Sequence, residues 1–120
     1  MATIELNEES FEPTVTGNDI VIVDFWAPWC GPCKSFAPIY EAVSEKYPNI
    51  VFAKINTEVE QGIAGHFQIR SIPTLMIFRE QIVIFSEAGM LPAPALEEIV
   101  GQVLALDMEK VKADIAATNE

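Results

Sequence analysis

Three short apolar runs rich in β-branched residues, DIVIVDFW (19–26), NIVFAKIN (49–56) and PTLMIFRE (73–80), alternate with stretches whose apolar residues recur at helical spacing. Runs this short read as strands, and a strand without polar alternation is one covered on both faces. DIVIVDFW is accordingly expected at the centre of a sheet. Between the first two runs, Phe36, Ile39, Tyr40, Val43 and Tyr47 predict a helix from Pro32 to Tyr47, stopped by Pro48 and kinked at Pro38. TEVEQGIAGHF (57–67) reads as a short capped helix. Strand, helix, strand, helix, strand implies parallel pairing through crossovers. IVIFSEA (82–88) follows too closely for a crossover and is expected to turn back as an antiparallel edge strand. At the amino end, TIEL reads as a short edge strand and NEESFEPTV as a short helix opened by Asn7, its end blurred by Pro13. A last helix begins at Pro92 or Pro94 and carries Leu96, Ile99, Val100, Val103 and Leu104 on one face. The expected fold class is α/β, a central mixed β-sheet flanked by helices on both faces.

Half of the 120 residues are hydrophobic, enough for one domain with a real core, and no repeat, linker or low-complexity tract interrupts it. MATIELNEESFEP has neither the basic nor the apolar region of a signal peptide, and no apolar run is long enough to span a bilayer. A soluble, cytoplasmic protein is expected, with no membrane association. The net charge is −11, and no Lys or Arg precedes Lys34. Such a field repels phosphate backbones and excludes nucleic-acid binding; solubility accounts for it, docking of a basic partner being the alternative.

Both cysteines of the chain, Cys30 and Cys33, lie in the stretch WCGPC (29–33). A pair so close in sequence closes no long loop and so adds little as a staple. Its position, just after a strand and at the first turn of the next helix, is where free backbone N–H groups and the helix dipole favour an anion. A thiolate is that anion, and only a thiolate attacks a disulfide. Cys30 is therefore expected to be the nucleophile, the more exposed and more acidic thiol. Cys33, one turn on, is expected to resolve the mixed disulfide. Gly31 leaves room for a substrate, and Pro32 sets the helix start without losing a hydrogen bond. Half of a zinc site is the rival reading of such a pair, but it needs two further ligands and only His66 remains, so no metal and no cofactor are expected.

VDFWAPWCGPCKSFAPIYE (23–41), FAKINTE (52–58), QIRSIPTLMIF (68–78) and EAGM (87–90) resemble, in order and spacing, the successive motifs of the thioredoxin family. The resemblance covers roughly residues 3–106. It implies the thioredoxin fold and the reduction of protein disulfides, with the Cys30–Cys33 disulfide reset by a flavoprotein thioredoxin reductase. It also implies that Asp24 is the buried carboxylate that moves the proton of Cys33; the residues alone allow a strand-end cap equally. Lys54 matches the lysine that tunes that carboxylate. Pro73 matches a cis-proline, preceded by Ile72, whose backbone pairs with an extended substrate segment. Trp29, Gly31, Pro32, Ile72, Pro73 and Gly89 would bind substrate around Cys30, whereas Trp26 is expected only to pack.

Three stretches depart from the family pattern. Ser71 stands where a glycine is usual, the turn REQI (79–82) lacks glycine and is expected to be longer or of another type, and MLPAPAL (90–96) is proline-rich. Two functions are open: a dithiol–disulfide oxidoreductase, or a thioredoxin-fold binding or co-chaperone module with incidental redox activity. The intact Cys30, Cys33, Asp24, Lys54 and Pro73 favour the first. The chain divides into a domain over 1–106 and a C-terminal helical extension or tail over 107–120. Met108, Val111 and Ile115 continue the stripe of Val100 and Leu104, so the last helix is expected to run on to about Ala116. Those residues pack on the domain or trail as a tail, or else contact a partner; a monomer is expected.

Overall fold

The structure, a computed structural model, describes residues 2–118. Among them the chain runs β1 (Thr3–Glu5), α1 (Phe11–Gly17), β2 (Ile20–Trp26), α2 (Gly31–Ser44), β3 (Val51–Asn56), α3 (Gln61–His66), β4 (Thr74–Arg79), β5 (Ile82–Ala88), α4 (Ala93–Ala105) and α5 (Met108–Thr118). One mixed sheet has the order β1-β3-β2-β4-β5, with β2 in the middle as its unbroken apolar run requires. Alternate residues of β2 feed two cores. Ile20 and Ile22 join Phe52, Leu75 and Ile77 beneath Phe36, Tyr40 and Val43 of α2 and Leu96, Val100 and Val103 of α4. Val21, Val23 and Phe25 join Ile55, Met76 and Phe78 against Val15 of α1 and Ile63 of α3.

Tyr40, fully buried, ties α2 to the sheet. Its hydroxyl lies 3.0 Å from the carbonyl oxygen of Ile22 and 2.8 Å from that of Ala53, bridging β2 and β3. Removing either Tyr40 or Phe36 to alanine empties the space between helix and sheet, a change that costs roughly 3–5 kcal/mol for buried aromatics.

Pairing departs from the expected all-parallel crossovers. β2 and β1 lie parallel to β3, but β4 lies antiparallel to β2. The cause is length: α3 has six residues and spans only about 9 Å, less than half of the roughly 20 Å of a six-residue strand. The chain therefore never returns to the far end of the sheet, and β4 enters from the end where β3 finished.

Of the two alternatives expected for the β4–β5 turn, a longer loop or another turn type, the longer loop is not found. Arg79 pairs with Ile82, leaving only Glu80 and Gln81 in the loop, with φ of 51° and 69°. Two consecutive positive φ angles are the signature of a type I′ hairpin turn, here adopted without glycine. The Glu80 N–H donates to the carbonyl of Asp19 at 2.8 Å, and Lys112 of α5 pairs with Glu80, which holds the turn down.

At the amino end, Asn7 caps the turn before α1, its Oδ1 accepting from the N–H groups of Glu9 and Ser10 at 2.9 and 2.8 Å. Pro13 falls in the first turn of α1, where its missing N–H costs nothing, and does not end the helix. α2 stops at Ser44, three residues short of the expected end, and contains Pro38.

The last helix is not continuous. Leu106 is extended (φ −63°, ψ 138°), and Asp107 opens α5 by accepting the Lys110 N–H at Oδ1, 3.2 Å away. Arg79 reaches over from β4 and donates to the carbonyl of Val103 in the last turn of α4 at 2.7 Å and to that of Leu106, just past its end, at 3.1 Å. α5 then folds against the β5 side of the domain. Met108 is buried, and Val111 and Ile115 face Ile82, Val83 and Ile84 across a cleft of about 300 Å³. Among the described residues no helix is long and apolar enough to cross a membrane.

Candidate active site

β2 ends at Trp26, and the turn that follows brings the Cys30 N–H within 3.2 Å of the Ala27 carbonyl. Cys30 is the N-cap of α2, with extended backbone (φ −86°, ψ 114°), and Pro32 occupies the first turn, as a helix start favours. The Cys33 N–H donates to Cys30 Sγ at 3.2 Å, so a donor that the helix would leave orphaned is aimed at the sulfur. The two cysteines are joined as a disulfide, Cα to Cα 5.2 Å. Both are 4% exposed, so the expected difference in exposure is absent. Sharing one disulfide against Ala27, Trp26 and Ile72 covers them equally; what separates them is the N–H that caps Cys30 alone.

Facing the disulfide is the loop into β4. The Ile72–Pro73 bond is cis, and the Ile72 carbonyl oxygen lies 3.7 Å from Cys30 Sγ. Two hydrogen bonds hold this loop: the Gly89 N–H to the Pro73 carbonyl at 2.8 Å, and the Thr74 hydroxyl to the Ser71 carbonyl at 2.5 Å. Gly89 has φ of 102°, open to glycine and strained for any other residue. A side chain added at Gly31 would project into empty space, consistent with an unobstructed approach to the sulfurs.

Trp29 is 67% exposed, its indole N–H donating to Glu58 Oε1 at 2.6 Å. Next to Glu58, Val59 is 70% exposed, and Met90 beside Gly89 is exposed too. Glu58 escaped sequence reasoning, because the turn that brings it to Trp29 follows a separate strand.

Asp24 lies on the α2 face of β2, 1% exposed, with neither carboxylate oxygen hydrogen-bonded. Burial pushes its pKa up to about 7 against the partial pull of Lys54; the negative charge of Glu5 adds to the rise. Lys54 is its register partner on β3, with Nζ 4.7 Å from the centre of the Trp26 ring. Trp26 thus packs, as expected, and also seats the lysine. Glu5, a residue the sequence did not single out, is aligned with Lys54 from β1. The structure therefore brings together Cys30, Cys33 and Ile72, joins Pro73 to Gly89, and sets Asp24 beside Lys54. His66 stands apart on α3, edge-on to Phe67, and among the described residues no three metal-ligating side chains converge.

The thioredoxin family model matches residues 2–115. A Streptomyces coelicolor protein named "Putative thioredoxin 2" is 50% identical over 115 residues, 96% of this chain and 86% of that protein. The thioredoxin of Bacillus subtilis is 36% identical over 105 residues, 87% of this chain and all of the relative. Chloroplastic thioredoxin z superposes with a TM-score of 0.81 at 30% identity, over 88% of this chain and 97% of the other. With a cysteine pair at disulfide distance on that fold, the chain belongs to the thioredoxin family and is a thiol-disulfide oxidoreductase.

Proposed function

We propose that the chain reduces protein disulfides by the following division of labour. In the reduced protein the Cys30 thiolate attacks one sulfur of a substrate disulfide; the second substrate sulfur leaves as a thiolate and takes a proton from water. Cys33 then gives its proton to Asp24, attacks Cys30 Sγ and releases the other substrate thiolate. Two electrons have passed from the dithiol to the substrate, and Cys30–Cys33 is left as the disulfide seen here. Lys54 tunes Asp24. Trp29, Gly31, Pro32, Ile72, Pro73 and Gly89 receive the substrate, whose extended backbone pairs with that of Ile72.

A thioredoxin reductase returns the electrons, so the chain carries them from that enzyme to its targets without a cofactor of its own. It works in a reducing compartment, the cytoplasm, as a monomer. The catalytic domain spans residues 1–106 and α5 belongs to an extension over 107–120 that packs on it; residues 1, 119 and 120 of those ranges lie outside the described residues.

The observation that supports this reading best is the capped Cys30 sulfur lying against the Ile72 carbonyl, attacker and docking edge in one place. Its test is catalysis of insulin disulfide reduction by dithiothreitol. Catalysis lost in Cys30→Ser supports the scheme; catalysis surviving that change would overturn it.

A further inference from the structure

The exchange scheme employs Asp24 and Lys54 and leaves a third charged side chain of the same sheet face without a task. β1 lies beside β3 and β3 beside β2, and the register aligns Glu5 with Lys54 and Lys54 with Asp24. The three form one rung, acid, base, acid, across adjacent strands. Strands in a sheet stand about 4.8 Å apart, so each acid is a neighbour of the same ammonium and the two acids are roughly 10 Å apart at Cα.

The two ends of the rung differ in their surroundings. Asp24 is sealed in, while Glu5 sits on the edge strand, exposed to water. Glu5 is nonetheless held above the usual carboxylate range, first by partial burial, against the attraction of Lys54 and the Trp26 indole; Glu60 adds its repulsion. Trp26 Nε1 is buried without a hydrogen-bond partner of good geometry. Lys54, seated over the Trp26 ring, answers to both carboxylates and neutralises at most one. The remaining groups around Asp24 offer it no second cation: Tyr40 of α2 has its hydroxyl committed to two backbone carbonyls, and Cys33 heads the same helix.

We propose that Glu5 is a positioning residue of the exchange reaction: from the outer end of the rung it competes with Asp24 for Lys54, and so sets how readily Asp24 holds the proton taken from Cys33. The proposal rests on Asp24 being the base of the resolving step. Removing the outer charge frees Lys54 for Asp24 and relieves the repulsion between the acids, both of which favour ionised Asp24. Asp24 then titrates at lower pH. For a unit charge at about 10 Å the displacement is roughly 0.3 to 1.2 pH units, between the water-like and the protein-like effective dielectric.

The test is the carboxyl carbon resonance of Asp24, assigned by its loss in Asp24→Asn and followed against pH in the full-length oxidised protein. The pH profile of the resolving step is measured alongside. In Glu5→Gln the Asp24 midpoint and the rise of the rate move together toward acid by that amount, and Glu5→Asp, which keeps the charge, restores both. An unmoved midpoint in Glu5→Gln overturns the role of Glu5 whatever the rates do. Equal displacement in Glu5→Asp and Glu5→Gln overturns it as well, since backbone disturbance of β1 would then be the cause. A midpoint that moves while the rate profile stays in place refutes Asp24 as the base, and Glu5 as a positioning residue falls with it.

Discussion

Cys30 Sγ lies 3.7 Å from the carbonyl oxygen of Ile72, although 42 residues separate the two. The contact joins the end of the central strand to the start of the antiparallel one, and it exists because β4 enters the sheet from the same end as α2 begins. A substrate strand laid along Ile72 would carry its disulfide to the sulfur that the Cys33 N–H caps. The capped Cys30 sulfur and the Ile72 carbonyl thus belong to two elements that only the antiparallel β2–β4 pairing makes neighbours.

Asp24→Asn is expected to slow turnover near neutral pH and to stabilise the fold. Burial raises the folded pKa from 3.8 to about 7, so between those values the folded chain keeps a proton that the unfolded chain has lost. Stability from this group is therefore full below about pH 4 and falls as pH rises toward 7, by up to about 4 kcal/mol. The advantage of the Asn variant over the parent should grow across that window and level off above it. Urea unfolding of both proteins at pH 4, 5.5 and 7.5 checks this; a difference that does not change with pH would contradict it.

Much of this arrangement was legible beforehand. The β-branched runs placed the strands, and the cysteine pair after the central one placed the site, because both signals are local. What was not legible depended on lengths and distant partners. The direction of β4 follows from α3 being too short to cross the sheet. The break at Leu106 is signalled by Asp107, a good helix cap hidden inside a continuous apolar stripe. Glu5 and Glu58 join the site through strand register and a turn, which no periodicity reveals.

The β4–β5 turn holds two non-glycine residues at positive φ. Gln81→Gly should relieve the left-handed strain there and raise stability by about 0.5–1 kcal/mol, the larger entropy of glycine in the unfolded chain taking back part of the gain. Gln81→Val should do the reverse, since a β-branched side chain fits that region worst. Thermal unfolding of the two variants measures both signs; a Gln81→Gly protein less stable than the parent would contradict the turn assignment.

Met108 is 7% exposed although it begins α5. Met108→Ala should cost about 2 kcal/mol, and truncation after Leu106 should lower the melting temperature while leaving the sedimentation mass that of a monomer. Truncation without thermal effect would mean that α5 adds nothing to the domain, and a change in mass would mean that it mediates association.

The central claim, that Cys30 attacks and Cys33 resolves, is tested most directly by trapping. Reduced Cys33→Ser is mixed at neutral pH with a protein disulfide and the product is mapped by mass spectrometry. The account predicts a stable mixed disulfide through Cys30, and none in the corresponding Cys30→Ser protein. A mixed disulfide that accumulates through Cys33 in Cys30→Ser, with Cys33→Ser unreactive, would contradict it.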